Sequence, residues 1–362
     1  MKTKLFTKAP ILLAALLAAA MSFTACGDDS GSGTPNAPVV DPGQQPTGPS
    51  VDPQNPSNTD TPVVPASSTS ENVPVVQSSS SMVPSGPSET PVAEAGCAAG
   101  EVPNPVIFPQ DDFTDIGDVY KNIQCNEKVV FIVRHAERDA STSKESPLTL
   151  DGVEAAVAAG QKLAGPGEFK FVNSGFLRTF QTVYYMAIGR GQYPANPGFQ
   201  DSLAAWTVVT DLEEGFVVPA NFPTDTITQI TDGWYLKDKE LREVYKTRDS
   251  ISNVNQMYSL WIYEDMYQDV YYDLEERSKE VLNTYLIKDY SQMPKYTLMG
   301  SHDQFLMPLL SWATNKAINL IFLDENKQWK WVGFLSGIAI IINDKNEVRY
   351  APIKGMEKGY GR

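Results

Sequence analysis

The chain has 362 residues with a formal net charge of −15 at pH 7, and 42% of its residues are hydrophobic. So strong an acid excess argues against nucleic acid and against an anionic membrane surface as binding partners. Any site for an anion must therefore be a local cluster of basic groups set into an acidic field.

At the N-terminus, Lys2, Lys4 and Lys8 precede an apolar stretch from Ile11 to Ala20, and Phe23-Thr24-Ala25-Cys26 follows. This reads as a signal peptide over residues 1–26, ending in a sequence that resembles a bacterial lipobox with Cys26 as the lipidated residue. The apolar run is too short for a membrane span of about 20 residues. An ordinary cleaved signal is the alternative. Residues 27–96 consist mainly of Pro, Ser, Thr, Gly and Val, with scattered acids and no lysine or arginine. Such a segment cannot bury enough apolar surface to offset its ordering entropy, and it is expected to be a disordered tether of roughly 45–50 Å root-mean-square length if coil-like. The expected address is a membrane-anchored bacterial lipoprotein, in the periplasm or at the cell surface, with the lipid on Cys26 as the membrane contact.

Residues 97–362 are enough for one sizeable core, or for a core with an inserted cap. Cys97 and Cys125 flank the entry to the first strand. In an oxidising compartment they are expected to form a disulfide; two reduced, buried thiols are the alternative. The continuous apolar run Val129 to Val133 predicts a strand buried on both faces, and it delivers Arg134-His135-Ala136-Glu137-Arg138 at its carboxyl end. Thr149 is a predicted N-cap for a helix whose apolar stripe is Val153, Ala156, Val157, Gly160 and Leu163. A second strand, Phe169 to Ser174, is followed by a helix opening on Leu177-Arg178-Thr179-Phe180-Gln181-Thr182.

Between Gly189 and Asp273 lies a long segment rich in aromatic residues, among them Trp206, Phe216, Phe222, Trp234, Tyr235, Tyr245, Tyr258, Trp261, Tyr263 and Tyr267. These rings either form a core of their own or line a binding surface. Leu274 to Ile287 predicts a helix, Tyr296 to Met299 a strand ending near His302-Asp303, and Gln304 to Ala313 a further helix with Pro308 tolerated only near its first turn. The segment from Trp329 to Ile342 alternates and predicts a strand-rich ending, with a hairpin through Asn343-Asp344-Lys345-Asn346. The chain has only two histidines, His135 and His302, and both follow predicted strands. In open α/β sheets the ligand crevice lies at the carboxyl ends of the strands, so both imidazoles are expected in one crevice.

The order and spacing of Arg134-His135, Leu148-Thr149-Leu150-Asp151-Gly152, the Arg178 helix start and His302 resemble the histidine phosphatase superfamily, which includes phosphoglycerate mutases and histidine acid phosphatases. The resemblance covers roughly residues 125 to 355. It implies an α/β fold, a three-layer α/β/α sandwich with a mostly parallel, phosphoglycerate mutase-like sheet and a cap inserted at about 190–273. It also implies hydrolysis of a small phosphorylated substrate without metal or cofactor. His135 would be the nucleophile, His302 its partner on the equatorial oxygens, and Arg134, Arg178 and Arg138 the phosphate ligands. Arginine suits that task because its planar fork grips phosphate oxygens bidentately.

The proton donor is left open by the resemblance. Asp303, beside the second histidine, matches the acid phosphatase branch and is preferred; Glu214 and Glu243, in Leu-x-Glu contexts, match the mutase-like branch. Two departures are Ala136, where glycine is commonest, and Ala140, where a proline often stands. A mutase of the same family and an inactive surface-binding module are the rival readings.

Overall fold

A computed structural model describes residues 97–194, 221–322 and 330–361. The signal peptide, the tether, Cys26, Trp206, Glu214, Phe216 and Trp329 lie outside the described residues. Cys97 and Cys125 are joined by a disulfide, with Cα atoms 4.8 Å apart and 28 residues of separation. On a chain-entropy argument, closing a loop of that length is worth about 3.5 kcal/mol, and it fastens the start of the domain to the entry of its central strand.

Seven strands form one sheet: β1 (Thr114–Asp115), β2 (Glu127–Arg134), β3 (Phe169–Asn173), β4 (Thr224–Thr226), β5 (Tyr296–Ser301), β6 (Ser336–Asn343) and β7 (Val348–Lys354), in the order β1-β7-β6-β2-β5-β3-β4. The β2–β5, β5–β3, β3–β4 and β1–β7 pairs are parallel, whereas β6 runs antiparallel to both β2 and β7. Every residue of β2 is buried. A strand can be apolar on both faces only where helices cover both, and here they do.

On one face Val129, Phe131, Val133 and Leu298 pack with side chains from α1 (Ile116–Lys121), α2 (Leu150–Gln161) and α3 (Leu177–Gly189). On the other face Val130, Ile132, Met299 and Ile340 pack with α5 (Val254–Glu264), α6 (Leu274–Val281) and α7 (Asp303–Ala313). The result is a three-layer α/β/α sandwich around a mostly parallel sheet. A further helix, α4 (Lys239–Arg248), buries only Arg242.

Four sequence expectations need correction. The aromatic segment is not a separate cap in its described part: Trp234, Tyr235, Tyr258, Trp261 and Tyr267 are buried in the same core as Val130 and Ile132, so they build the second helical layer. Phe222 instead packs on the opposite face with Phe171 and Tyr184. The helix predicted to run from Leu274 to Ile287 is α-helical only to Val281, and one π-helical turn, Leu282–Leu286, completes it. Pro308 sits in the second turn of α7, beyond the position expected for it, and is buried there. Finally, β6 is buried almost throughout rather than alternating, because it is an interior strand with both faces covered. The predicted hairpin follows it, with the Asn343 side-chain oxygen accepting the backbone N–H groups of Lys345 and Glu347.

Strand register sets up everything that follows. Arg134 on β2 pairs directly with Ser301 on β5, so the next residues, His135 and His302, leave the sheet side by side. Behind them, α2 begins at Thr149, whose hydroxyl caps Gly152 N–H at 3.1 Å and whose own N–H donates to Glu137 O at 3.0 Å. Gly152 is needed there because a Cβ would stand 2.1 Å from Glu137 O. Gly152→Ala must push the helix start away from the loop carrying His135. It is expected to lose about 1–3 kcal/mol of stability in denaturant unfolding, as overpacked sites do. An unchanged midpoint would show that the loop yields freely.

Candidate active site

His135 is buried, and its backbone N–H donates to Ser301 O at 2.9 Å. Its Nδ1 lies 2.8 Å from Ala136 O. A carbonyl can only accept, so Nδ1 carries the proton and Nε2 keeps its lone pair. Ala136 is held in turn: its N–H donates to Thr182 Oγ1 at 3.0 Å, and the Thr182 hydroxyl donates to Arg178 O at 2.7 Å. Glycine is not required at this position, because Ala136 is fully buried and is not among the positive-φ residues.

His302 is completely buried, with its ring centroid 5.4 Å from that of His135. Arg178 Nη2 lies 3.3 Å from His302 Nδ1, and Ser174 Oγ lies 2.8 Å from Nε2. Guanidinium nitrogens only donate, so Nδ1 is the acceptor and Nε2–H donates to the serine. Ser174 is fixed by Thr179, whose Oγ1 is 3.0 Å from Ser174 Oγ and accepts the Ser174 N–H at 3.2 Å. Phe176 presents an edge-to-face contact to His302, with centroids 4.7 Å apart, and lies under the Arg178 guanidinium at 4.4 Å.

The predicted α3 opening is thus accounted for residue by residue. Arg178, wholly buried, bonds Ser143 O at 2.9 Å as well as reaching His302. Thr179 sets Ser174, Gln181 accepts the Leu148 N–H at 2.8 Å, and Thr182 sets Ala136. Arg134 donates to Val332 O at 2.8 Å and stacks on the Phe334 ring at 4.3 Å. Its Nη2 meets Asp303 Oδ2 at 3.2 Å, and the same oxygen accepts from Trp331 Nε1 at 2.7 Å.

The electrostatics follow from burial and these cations. Burial pushes the His135 imidazole well below its ordinary value, and Arg134, His302 and Arg178 push it further. Burial does the same to His302, aided by Arg178, Arg134 and Arg138. Both rings are neutral near pH 7.

Of the residues expected at the site, the structure gathers His135, His302, Arg134 and Arg178, with Asp303 on Arg134. Arg138 is near enough to act on His302 through its charge, but its Nη1 bonds the carbonyls of Asp139 and Ser141 in its own loop. Glu243 is on α4, where Arg242 and Lys246 hold it. Burial pushes its carboxyl up, but hydrogen bonds from these two cations outweigh that and hold it below its ordinary value.

Sequence reasoning missed Ser174, Phe176, Thr182, Trp331, Phe334 and Asp232 as site residues. Ser174 was detectable as the polar residue that follows β3. Asp232, whose Oδ2 lies 3.8 Å from His302 Nδ1, belongs to no motif. A cavity of about 250 Å³ opens beside His302, lined by Lys144, Ser174, Phe176, Thr228, Thr231 and Asp232 among others. Among the described residues, one grouping has metal-ligand spacing: Cys97, Glu101 and Cys125. Its sulfurs are already joined to each other.

No family model and no curated protein matches the chain. Solved structures similar to it include a phosphoglycerate mutase from Bacillus anthracis str. Sterne, at 14% identity over 63% of this chain and 92% of that one, with a TM-score of 0.38. A mycobacterial glucosyl-3-phosphoglycerate phosphatase is similar at 11% identity, over 64% and 100%, with a TM-score of 0.35. The alpha-ribazole phosphatase from Shigella flexneri is similar at 16% identity, over 64% and 97%, with a TM-score of 0.35. Likenesses this distant carry no argument about activity.

The buried neutral histidines have a consequence for stability. When the chain unfolds, each imidazole regains an ordinary pKa of about 6.5, so below that pH the unfolded state binds more protons. The stabilisation is complete above about 6.5. It falls by about 1.4 kcal/mol per pH unit per histidine as pH drops toward the folded values. The unfolding midpoint is therefore expected to be lower at pH 5.5 than at 7.5, with a smaller difference in His135→Asn/His302→Asn. An equal pH dependence in the two proteins would contradict the burial of neutral rings.

Proposed function

We propose that this protein is a phosphomonoesterase that works through a phosphohistidine on Nε2 of His135. The observation that carries the reading is the state of that ring: Nδ1–H is committed to Ala136 O, the ring is neutral, and the charges of Arg134 and Arg178 act on it. A neutral imidazole nitrogen with a free lone pair is a nucleophile at physiological pH. Two guanidinium groups next to it supply the fixed positive charge that a phosphate dianion needs in a protein that is otherwise acidic.

In the first half-reaction Nε2 attacks phosphorus in line with the leaving oxygen, and the arginines stabilise charge spread over the equatorial oxygens. In the second, water displaces the imidazole and releases phosphate. His302 lies beside this centre on a rigid frame: Ser174 and Arg178 fix both ring nitrogens. As substrate enters, phosphate oxygens compete with His302 and Asp303 for the arginine donors, and this makes the cluster a preorganised anion site. The proposal extends to the setting, since the signal-like N-terminus, Cys26 and the acidic, proline-rich 27–96 segment support an enzyme tethered to a membrane outside the cytoplasm.

Replacing His135 with Ala should lower turnover of a phosphomonoester by about three or more decades, and only the parent protein should yield an acid-labile phosphoenzyme on rapid quenching. Arg178→Lys keeps the charge but loses the fork, and a loss of roughly two decades is expected, together with weaker inhibition by vanadate. Near-normal activity in His135→Ala would refute the mechanism. A phosphoenzyme that transfers to an added alcohol but not to water would point to a mutase, and complete inactivity of the parent protein to a binding module.

A further inference from the structure

We infer that Asp232 is the proton donor to the leaving-group oxygen, an assignment that rests on the phosphatase reading above. Three observations converge on it. First, Asp232 lines the cavity of about 250 Å³ beside His302, together with Ser174 and Phe176, which touch His302 directly. A leaving group attached to a phosphate in the arginine cluster has to occupy space next to that cluster, and this cavity provides it.

Second, Asp232 is held on the same frame as the second histidine. Its side chain is only 11% exposed, with Oδ2 3.8 Å from His302 Nδ1. Oδ1 lies 3.3 Å from the Gln304 N–H, a donor it shares with Asp303 in the first turn of the helix that His302 begins. The Asp232 carbonyl accepts a hydrogen bond from the buried Tyr258 hydroxyl at 2.9 Å. A carboxyl fixed through both its backbone and its side chain is positioned in the way general acid catalysis requires.

Third, the two competing carboxylates among the described residues, Asp303 and Glu243, have other tasks. Asp303 Oδ2 accepts from Trp331 and pairs with Arg134, while its Oδ1 accepts the Gln304 N–H at 3.0 Å. That pattern suits a residue that orients Arg134. Glu243 is bonded to Arg242 and Lys246 on α4.

The proton inventory balances. As the Nε2–P bond forms at His135 and the P–O bond to the leaving group breaks, the Asp232 carboxyl passes its proton to the departing oxygen. In the second half-reaction the water oxygen bonds to phosphorus, the N–P electron pair returns to the imidazole, and the water proton goes to the Asp232 carboxylate. A bound phosphate dianion favours the protonated carboxyl at the outset by placing negative charge beside it.

The test compares leaving groups. A nitrophenolate departs without help, whereas an alkoxide needs a proton. Asp232→Asn keeps the shape and still accepts the Gln304 N–H. It should slow glycerol phosphate by about 100-fold or more while slowing nitrophenyl phosphate by less than about 10-fold. Asp303→Asn should slow both substrates by the same factor. Because the comparison is a ratio within one preparation, incomplete folding of a variant cancels. Equal slowing of both substrates by Asp232→Asn would overturn the assignment, as would the differential appearing in Asp303→Asn, Glu214→Gln or Glu243→Gln instead. A parent protein that hydrolyses neither substrate overturns the phosphatase reading itself, and this outcome is distinct from the others.

Discussion

The hydrogen bond from His135 Nδ1–H to Ala136 O is the contact on which the rest of the site depends. In the proposed mechanism it decides which nitrogen attacks, and it holds only if the carbonyl stays where it is. Thr182 of α3 pins the Ala136 N–H, and the Thr149 backbone and Gly152, at the start of α2, meet the next carbonyl, that of Glu137. The helices on one face of the sheet therefore fix the tautomer of an imidazole at its edge. Thr182 donates to the carbonyl of Arg178, so the residue that orients the proposed nucleophile also ties it to a proposed phosphate ligand. Substitutions at Thr182 or Gly152 would reach the chemistry through two contacts, without touching substrate.

The second constraint is electrostatic. Two histidines and two arginines are buried together, and such a cluster is affordable only if the imidazoles remain neutral and the guanidinium groups find acceptors. Arg178 uses Ser143 O and His302; Arg134 uses Val332 O and Asp303. Within a chain of net charge −15, this local excess of cationic groups is what an anion would meet. The same arrangement that would attract an anion keeps both rings unprotonated.

Much of this was legible in the sequence because strand ends and helix starts leave local signatures. The apolar run before Arg134, the Thr149 cap and the Arg178-to-Thr182 helix opening each follow from patterns a few residues long. The parallel register that sets Arg134 opposite Ser301 is their consequence in space. Asp232 was not legible, because it reaches His302 from a loop between β4 and α4 across about seventy residues of sequence and belongs to no periodic element. Nor was the destination of the aromatic segment. A run of Trp and Tyr residues has the same composition whether it forms a lid or a layer, and only the buried contacts of Trp261 and Tyr258 with the sheet core decide between the two. Asp303 was visible beside His302, but its Arg134 and Trp331 partners lie far away in the chain.

The most direct test of the account is the position of the phosphoryl group on His135. A phosphoenzyme trapped by rapid quenching under alkaline conditions can be digested and its phosphohistidine isomer assigned by phosphorus NMR. With Nδ1–H held by Ala136 O, the phosphoryl group must be on Nε2. Phosphorylation at Nδ1, or on His302 instead, would contradict the arrangement from which the mechanism is derived.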